Sequence, residues 1–171
     1  MKKFLKPIEV VANVLIIVVA IACLAVIAQR YFRSETPPKA PPTLKSPVVG
    51  NKVSMPDIDW SKNRKNVLLV LQDGCRYCTE SADFYRTLLQ QTKDKGVSVT
   101  AVLPQDRDVA RKYLDKLQLS DLESKQSALG PLDVSGTPTI IVTDDKGQIT
   151  NVWVGKLPSD KQNEVIATLR G

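Results

Sequence analysis

The sequence predicts an α/β domain, a mixed β-sheet flanked by helices, joined to an N-terminal transmembrane helix. A continuous apolar run, a proline-rich stretch and a remainder that alternates strand-like and helix-like segments lead to this prediction. Alternation of strand and helix is typical of parallel βαβ units. We therefore divide the chain into a short N-terminus at 1–7, a membrane anchor at 8–28, a linker at 29–56 and a folded domain at 57–171.

The predicted anchor is apolar except for Glu9 and Asn13. At about 1.5 Å per helical residue, a run of this length crosses a hydrocarbon core of about 30 Å. A cleaved signal peptide has a shorter apolar core of about 7–15 residues. We therefore expect an uncleaved signal-anchor in contact with membrane lipid, in which Cys23 is a passive apolar residue.

Positive charge is greater on the N-terminal side of this span. Lys2, Lys3, Lys6 and the terminal amine outweigh Arg30 and Arg33 on the other side. Because positively charged flanks remain in the cytoplasm, we expect a single-pass protein with a cytoplasmic N-terminus. The C-terminal domain is then extracytoplasmic, in the periplasm or an equivalent compartment.

The net charge of +6 belongs to the N-terminal tail. Eight of the 24 basic and two of the 18 acidic residues precede residue 57, so the predicted domain is neutral. A neutral domain gives no support for nucleic-acid binding. The linker contains six of the 11 prolines, a composition typical of an extended spacer.

The first half of the domain is predicted as strand, helix, strand, helix. Asn66–Leu71 is a continuous apolar run, typical of a buried strand, and Cys78–Gln90 has apolar residues at helical spacing. Val97–Leu103 is the next predicted strand. Asp106–Leu117 is predicted as a helix with Asp106 as its N-cap.

The second half begins with weakly patterned residues, for which we predict a short helix around Lys125–Leu129. Pro138–Thr143 and Gln148–Val154 flank a tight turn and are predicted as an antiparallel hairpin. A final helix is predicted to begin with a capping box of Ser159 and Gln162. The predicted order is β-α-β-α-β-β-α.

Cys75 and Cys78 lie at the predicted junction of the first strand and the first helix. Unpaired N–H groups and the positive end of the helix dipole favour a thiolate there, and Arg76 adds positive charge. We therefore predict that Cys75 is the attacking thiol and that the more covered Cys78 is the resolving thiol. Their redox-active disulfide would serve in place of any bound cofactor.

Two alternatives for this pair are a zinc site and two inert buried cysteines. Structural zinc takes four ligands, whereas the chain has one further cysteine, Cys23, and no His. We therefore expect no metal. The absence of His also excludes Ser-His and Cys-His hydrolase arrangements.

A second motif, Gly-Thr-Pro-Thr at 136–139, stands directly before a β-rich run. With the dithiol it resembles the thioredoxin superfamily, and with the anchor it resembles the membrane-anchored thiol-disulfide oxidoreductases of the TlpA and ResA type. The resemblance covers about residues 60–170. It implies a thioredoxin fold, a cis Pro138 packed beside Cys75, and a substrate chain paired with the backbone of Thr137.

The chain departs from this family at several positions. Gly74 and Tyr77 stand where a Trp and a Pro are usual, and Ser81 stands where many members have a Glu, with Glu80 one place early. Apolar Leu69 occupies the position of the buried acid of thioredoxin. The resemblance therefore assigns no proton-transfer group.

The sequence thus predicts a thiol-disulfide oxidoreductase that acts on the thiols and disulfides of client proteins outside the cytoplasm. Thr137, Pro138, Arg76 and Tyr77 are its predicted substrate-binding residues. The resemblance implies reduction, for example of apocytochrome cysteines, with a membrane dithiol as electron donor or acceptor. The alternative is a redox-sensing or partner-binding module without turnover. A peroxidase site has no further support, and a copper chaperone of this fold would need a distal His.

Overall fold

The computed structural model describes residues 15–25 and 46–170. The chain divides into two units, Met1–Thr43 and Leu44–Gly171. The functional motifs all belong to the second unit, whose elements are named below.

The predicted anchor lies only partly within the described residues. Residues 15–25 are helical with exposed apolar side chains, whereas 8–14 and 26–28 lie outside the described ranges. The predicted N-terminus and the linker up to residue 45 also lie outside them. In the ranges that the structure describes, no helix is both long enough and apolar enough to cross a membrane.

The second unit is built on a mixed sheet of five strands with the spatial order β3-β2-β1-β4-β5. The pairs β1–β2 and β2–β3 are parallel, whereas β1–β4 and β4–β5 are antiparallel. The predicted mixed sheet is therefore confirmed, with one additional edge strand. The strands are β1 Lys65–Val70, β2 Val97–Leu103, β3 Glu123–Gln126, β4 Thr139–Thr143 and β5 Ile149–Val154.

Four α-helices accompany the sheet: α1 Arg76–Glu80, α2 Ala82–Thr92, α3 Arg107–Lys116 and α4 Ser159–Arg170. The predicted N-cap of α3 is confirmed. The Asp106 carboxylate accepts hydrogen bonds from the N–H groups of Asp108 and Val109 at 3.1 and 3.0 Å. These bonds satisfy two donors that the first turn of a helix otherwise leaves unpaired.

β1 is the central strand and is buried on both faces. Val67 and Leu69 belong to an apolar cluster to which all four helices contribute, whereas Leu68 and Val70 belong to a second cluster on the other face. Burial on both faces requires apolar residues at consecutive positions. This explains the continuous apolar run that predicts β1.

The second cluster is covered by residues that the sequence assigns to the linker. Val53 and Met55 are buried there, and the N–H of Val53 donates to the Gly147 carbonyl at 2.9 Å. A Cβ at Gly147, which has φ +76°, would lie 2.9 Å from the Trp60 indole. Residues 46–56 therefore belong to the folded unit, because their apolar side chains cover the sheet face that the helices leave open.

The predicted helix Cys78–Gln90 is interrupted. Ser81 separates α1 from α2, and its hydroxyl donates to the Tyr77 carbonyl at 2.8 Å. A Ser or Thr side chain that bonds the carbonyl four residues back commonly bends a helix. The break separates the short helix that begins beside the dithiol from the longer helix that packs on the sheet.

Two further local predictions are wrong. The stretch predicted as a helix around Lys125–Leu129 contains the end of β3, because Glu123–Gln126 pairs in parallel with β2. Ser159 is the first residue of α4 and not a cap outside it, and the Gln162 side chain donates to the Leu157 carbonyl at 2.9 Å. In the first case, strand pairing with β2 overrides the local helix pattern. In the second, the Gln162 side chain bonds the Leu157 carbonyl in place of the predicted capping contact.

Candidate active site

The dithiol follows the carboxyl end of the central strand. Gly74, with φ +77°, turns the chain into α1, and Cys75 is the N-cap of this helix. A positive φ of this kind favours glycine. Cys75 and Cys78 form a disulfide with Cα atoms 5.3 Å apart, so the structure shows the oxidised form.

The two sulfurs have different environments. Cys78 is completely buried and belongs to the helix-side apolar cluster, whereas Cys75 is half-buried at its edge. The N–H of Cys78 points to the Cys75 sulfur at 3.1 Å. A donor at this distance favours the charged form of a thiol. In the reduced protein, a donor in this position would favour the thiolate of Cys75, the more accessible of the two sulfurs.

The Gly-Thr-Pro-Thr motif lies against the dithiol. The Thr137–Pro138 peptide bond is cis, as the resemblance implies, and the Thr137 carbonyl oxygen is 3.3 Å from the Cys75 sulfur. Pro138 is buried, and its carbonyl accepts a hydrogen bond from the Gly155 N–H at 2.7 Å. The loop before β4 thus places an accessible stretch of backbone directly beside the reactive sulfur.

The two residues between the cysteines are exposed. The Arg76 side chain is 83% exposed and Tyr77 is 54% exposed. The Arg76 Nε donates to Glu80 Oε1 at 2.6 Å, and the Lys156 Nζ donates to Glu80 Oε2 at 2.8 Å. These bonds, first from Lys156 and then from Arg76, hold the pKa of Glu80 below its usual value. The hydrogen bond to Glu80 raises the pKa of Arg76.

The prediction that Arg76 adds positive charge beside Cys75 is therefore incomplete. Its partner Glu80 lies four residues along α1, a spacing visible in the sequence. Lys156 lies 76 residues from Glu80, and no local pattern marks that contact. The sequence interpretation missed Lys156 altogether.

Hydroxyl groups lie at both Ser81 and Thr79 of α1 and its C-terminal cap. Ser81, the C-cap of α1, is buried. The Tyr113 hydroxyl on α3 is 3.4 Å from Thr79 Oγ1, and burial raises the pKa of Tyr113. Leu69 is completely buried in the same cluster as Cys78. Among residues 15–25 and 46–170, no Asp or Glu is buried. The described part of the chain thus offers the resolving thiol no buried carboxylate.

Within the same ranges, no group of three or more His, Cys, Asp or Glu side chains could coordinate a metal ion. The chemistry that this arrangement supports is that of the dithiol itself. An accessible sulfur next to a buried one, three residues apart, can form a bond to an outside sulfur and then release it.

The sequence matches the Redoxin family over residues 39–169. No curated protein matches the chain. The matched range includes both cysteines, the Gly-Thr-Pro-Thr motif and all five strands.

Solved structures with a similar fold include the thioredoxin domain of a thiol-disulfide oxidoreductase from Bacteroides vulgatus, with a TM-score of 0.59 and 17% identity over 74% of this chain and 100% of that one. A thiol:disulfide interchange protein DsbE from Chlorobium tepidum has a TM-score of 0.60 and 22% identity, over 74% of this chain and 100% of that one. A bacterioferritin comigratory protein from Xanthomonas campestris, with alkyl peroxide reduction activity, has a TM-score of 0.51 and 16% sequence identity. This match covers 64% of this chain and 80% of that one. At these identities the likeness shows the fold alone.

Proposed function

Since the chain belongs to the Redoxin family and is a thioredoxin-like oxidoreductase, we propose that it reduces disulfides of client proteins outside the cytoplasm while tethered to a membrane. One observation carries the proposal. The disulfide joins an accessible sulfur, which faces the cis-proline loop, to a completely buried sulfur three residues further on. This asymmetry suits an exchange reaction in which one thiol meets the client and the other releases it.

The exchange proceeds in two displacements. The Cys75 thiolate attacks a client disulfide, forming a bond between the two sulfurs, and the second client sulfur leaves as a thiolate. The Cys78 thiolate then attacks the Cys75 sulfur, which restores the Cys75–Cys78 disulfide and releases the first client sulfur. Two electrons pass from the dithiol to the client, and an external dithiol at the membrane must return them.

The client chain is proposed to lie along the loop that precedes β4. Thr137 is half-exposed and its carbonyl is next to the Cys75 sulfur, whereas Pro138 is buried behind it. Arg76 and Tyr77 directly follow Cys75 in the chain and are exposed. We therefore assign the client-binding role to these four residues.

The tether is proposed from the sequence of the first unit. Its support is the length of the apolar run at 8–28, the excess of positive charge before it and the proline-rich stretch after it. Reporter fusions placed after Lys45 and after Gly171 test the topology. Both should report the extracytoplasmic side, and a cytoplasmic signal from either fusion would refute the proposed location.

The exchange reaction is tested by comparing two single variants of the full chain. Cys78→Ser should lose turnover and accumulate mixed disulfides, visible as higher-mass bands on non-reducing gels that disappear with dithiothreitol. Cys75→Ser should lose turnover without trapping a client, because the remaining thiol is buried. Cys23→Ser is the matched control and should behave like the parent protein.

The two variants also separate the proposal from its alternatives. If neither traps a client and insulin reduction is unchanged in both, the dithiol is not the catalytic centre. If insulin is never reduced but one partner binds only in one redox state, the chain is a redox-sensing module. If organic peroxide is consumed and protein disulfides are not, the proposed substrate class is wrong.

A further inference from the structure

One carboxylate near the dithiol accepts hydrogen bonds from two cationic side chains. We call these three charged groups, Arg76, Glu80 and Lys156, the rim of the dithiol. Glu80, on α1, accepts from Arg76 at 2.6 Å through one oxygen and from Lys156 at 2.8 Å through the other. Arg76 is the residue directly after Cys75. Lys156 follows Gly155, whose N–H donates to the Pro138 carbonyl. The three charged groups thus connect the helix that carries the dithiol to the residues that bind the cis-proline loop.

The net charge of this rim is +1, from two cations and one carboxylate. Without the carboxylate, two positive charges would stand near Cys75. Positive charge close to a thiol favours its thiolate. In thiol-disulfide couples, stabilisation of the reduced form makes the couple a stronger oxidant.

We propose that Glu80 is a positioning residue that limits the positive charge beside Cys75 and thereby keeps the dithiol reducing. The proposal rests on the proposed function, in which Cys75 is the attacking thiol of a reductase. The hydrogen bonds of the Glu80 carboxylate go to Arg76 and Lys156 and not to the Cys75 sulfur. It acts through Arg76 and Lys156, which it neutralises in part.

The elements next to Cys75 also carry other titratable groups, and none of them is substituted in the variants used below. Among them are Asp73 in the β1–α1 loop, Tyr77 on α1, Tyr113 on α3 and Asp133 in the loop before β4. Burial raises the pKa of Tyr113, which disfavours its charged form. Differences among the variants therefore report the rim charges alone.

The decisive comparison uses two variants that break the same ion pair. Glu80→Gln raises the rim charge to +2, whereas Lys156→Gln lowers it to zero. At an ionic strength of about 0.01 M, the acid dissociation constant of Cys75 should rise about two- to threefold in Glu80→Gln and fall by a similar factor in Lys156→Gln. It is obtained from the pH dependence of iodoacetamide alkylation of the reduced full chain, with Cys75 identified by mass spectrometry.

Three further variants test whether charge is the cause. Arg76→Gln also gives a rim charge of zero and should behave like Lys156→Gln. The double variant Glu80→Gln/Lys156→Gln breaks the contact but restores the charge of +1, so its dissociation constant should return to that of the parent. Glu164→Gln is the matched control, because Glu164 also receives two donors, Lys161 and Trp153, without contacting α1.

The differences should shrink at about 1 M salt, where the screening length is about 3 Å. The equilibrium with glutathione should change in the same order, with Glu80→Gln the most oxidising variant. Shifts of the same sign in Glu80→Gln and Lys156→Gln would overturn the proposal and show that the contact acts by holding the loop in place. No shift in either variant would overturn it as well.

This outcome is independent of the client. Alkylation is measured on the isolated reduced protein, whereas the proposed function is tested by the mixed disulfides that Cys78→Ser traps. A charge series that behaves as expected, without any trapped client, would refute the reductase and leave the effect of Glu80 on Cys75 established.

Discussion

Cys78 lies on the covered side of the dithiol and Cys75 on the open side. Their surroundings differ strongly, although the two cysteines are only three residues apart. Cys78 lies among completely buried apolar side chains such as Leu69, whereas Cys75 faces a loop backbone and a charged rim. Both sulfurs belong to one five-residue helix and its cap. The difference arises because Cys78 is on the face of this helix that joins the buried apolar cluster, whereas the rest of the helix is exposed.

This contrast suggests that burial separates the roles of the two thiols. A buried thiol is hard to ionise and hard for a bulky client to reach. An accessible thiol with an N–H donor at its sulfur meets both requirements of an attacking group. The protein thus needs no buried carboxylate to make its two sulfurs unequal.

The largest effect is expected on the covered side. Leu69→Ala removes a completely buried side chain from the cluster that includes Cys78, and should lower the free energy of unfolding by about 2–5 kcal/mol. Urea denaturation measures this loss. Val154→Ala, at a strand residue that is 48% exposed, is the matched control and should change the free energy by less than about 0.5 kcal/mol. Equal losses in the two variants would refute a tightly packed layer under Cys78.

A smaller effect on stability, but a clear effect on exchange, is expected on the open side. Tyr77→Ala should change the free energy of unfolding by less than about 1 kcal/mol, because the ring is 54% exposed. In the Cys78→Ser background it should reduce the amount of trapped client severalfold. An undiminished yield would show that clients do not contact Tyr77.

The smallest expected effect is the loss of the Glu80 contribution to stability at low pH. The pKa of Glu80 is lowered in the folded protein, so its ion pairs contribute fully to stability above the unfolded value of about 4.3. This contribution is lost as the pH falls through the lower folded pKa. The difference in melting temperature between the parent and Glu80→Gln should therefore vanish in strong acid. A difference that persists there would refute the ion-pair origin, and its size at pH 7 should be small because the groups are exposed.

The parts of the fold that the sequence predicts correctly are those whose burial is visible locally. β1 and β2 are predicted to within one residue, because their apolar runs reflect burial in the sheet. β3 was missed because Glu123–Gln126 is polar and forms a strand only by pairing with β2. The break at Ser81 depends on one side-chain hydrogen bond, which composition does not indicate.

The candidate site shows the same division. Cys75, Cys78 and Pro138 are marked by short motifs, and the structure brings their loops together. Glu80 is visible as a partner of Arg76 from its spacing. Its contact with Lys156 forms because the fold brings the residues after β5 next to α1, which no local pattern predicts.

The inequality of the two thiols is tested most directly by alkylating the reduced protein under native conditions and following each cysteine by mass spectrometry. Cys75 should react at least about tenfold faster than Cys78, because a completely buried sulfur is modified only when the structure opens. In urea, where the fold is lost, the two rates should become similar. Equal rates in the native protein would contradict the assignment of one attacking and one resolving thiol.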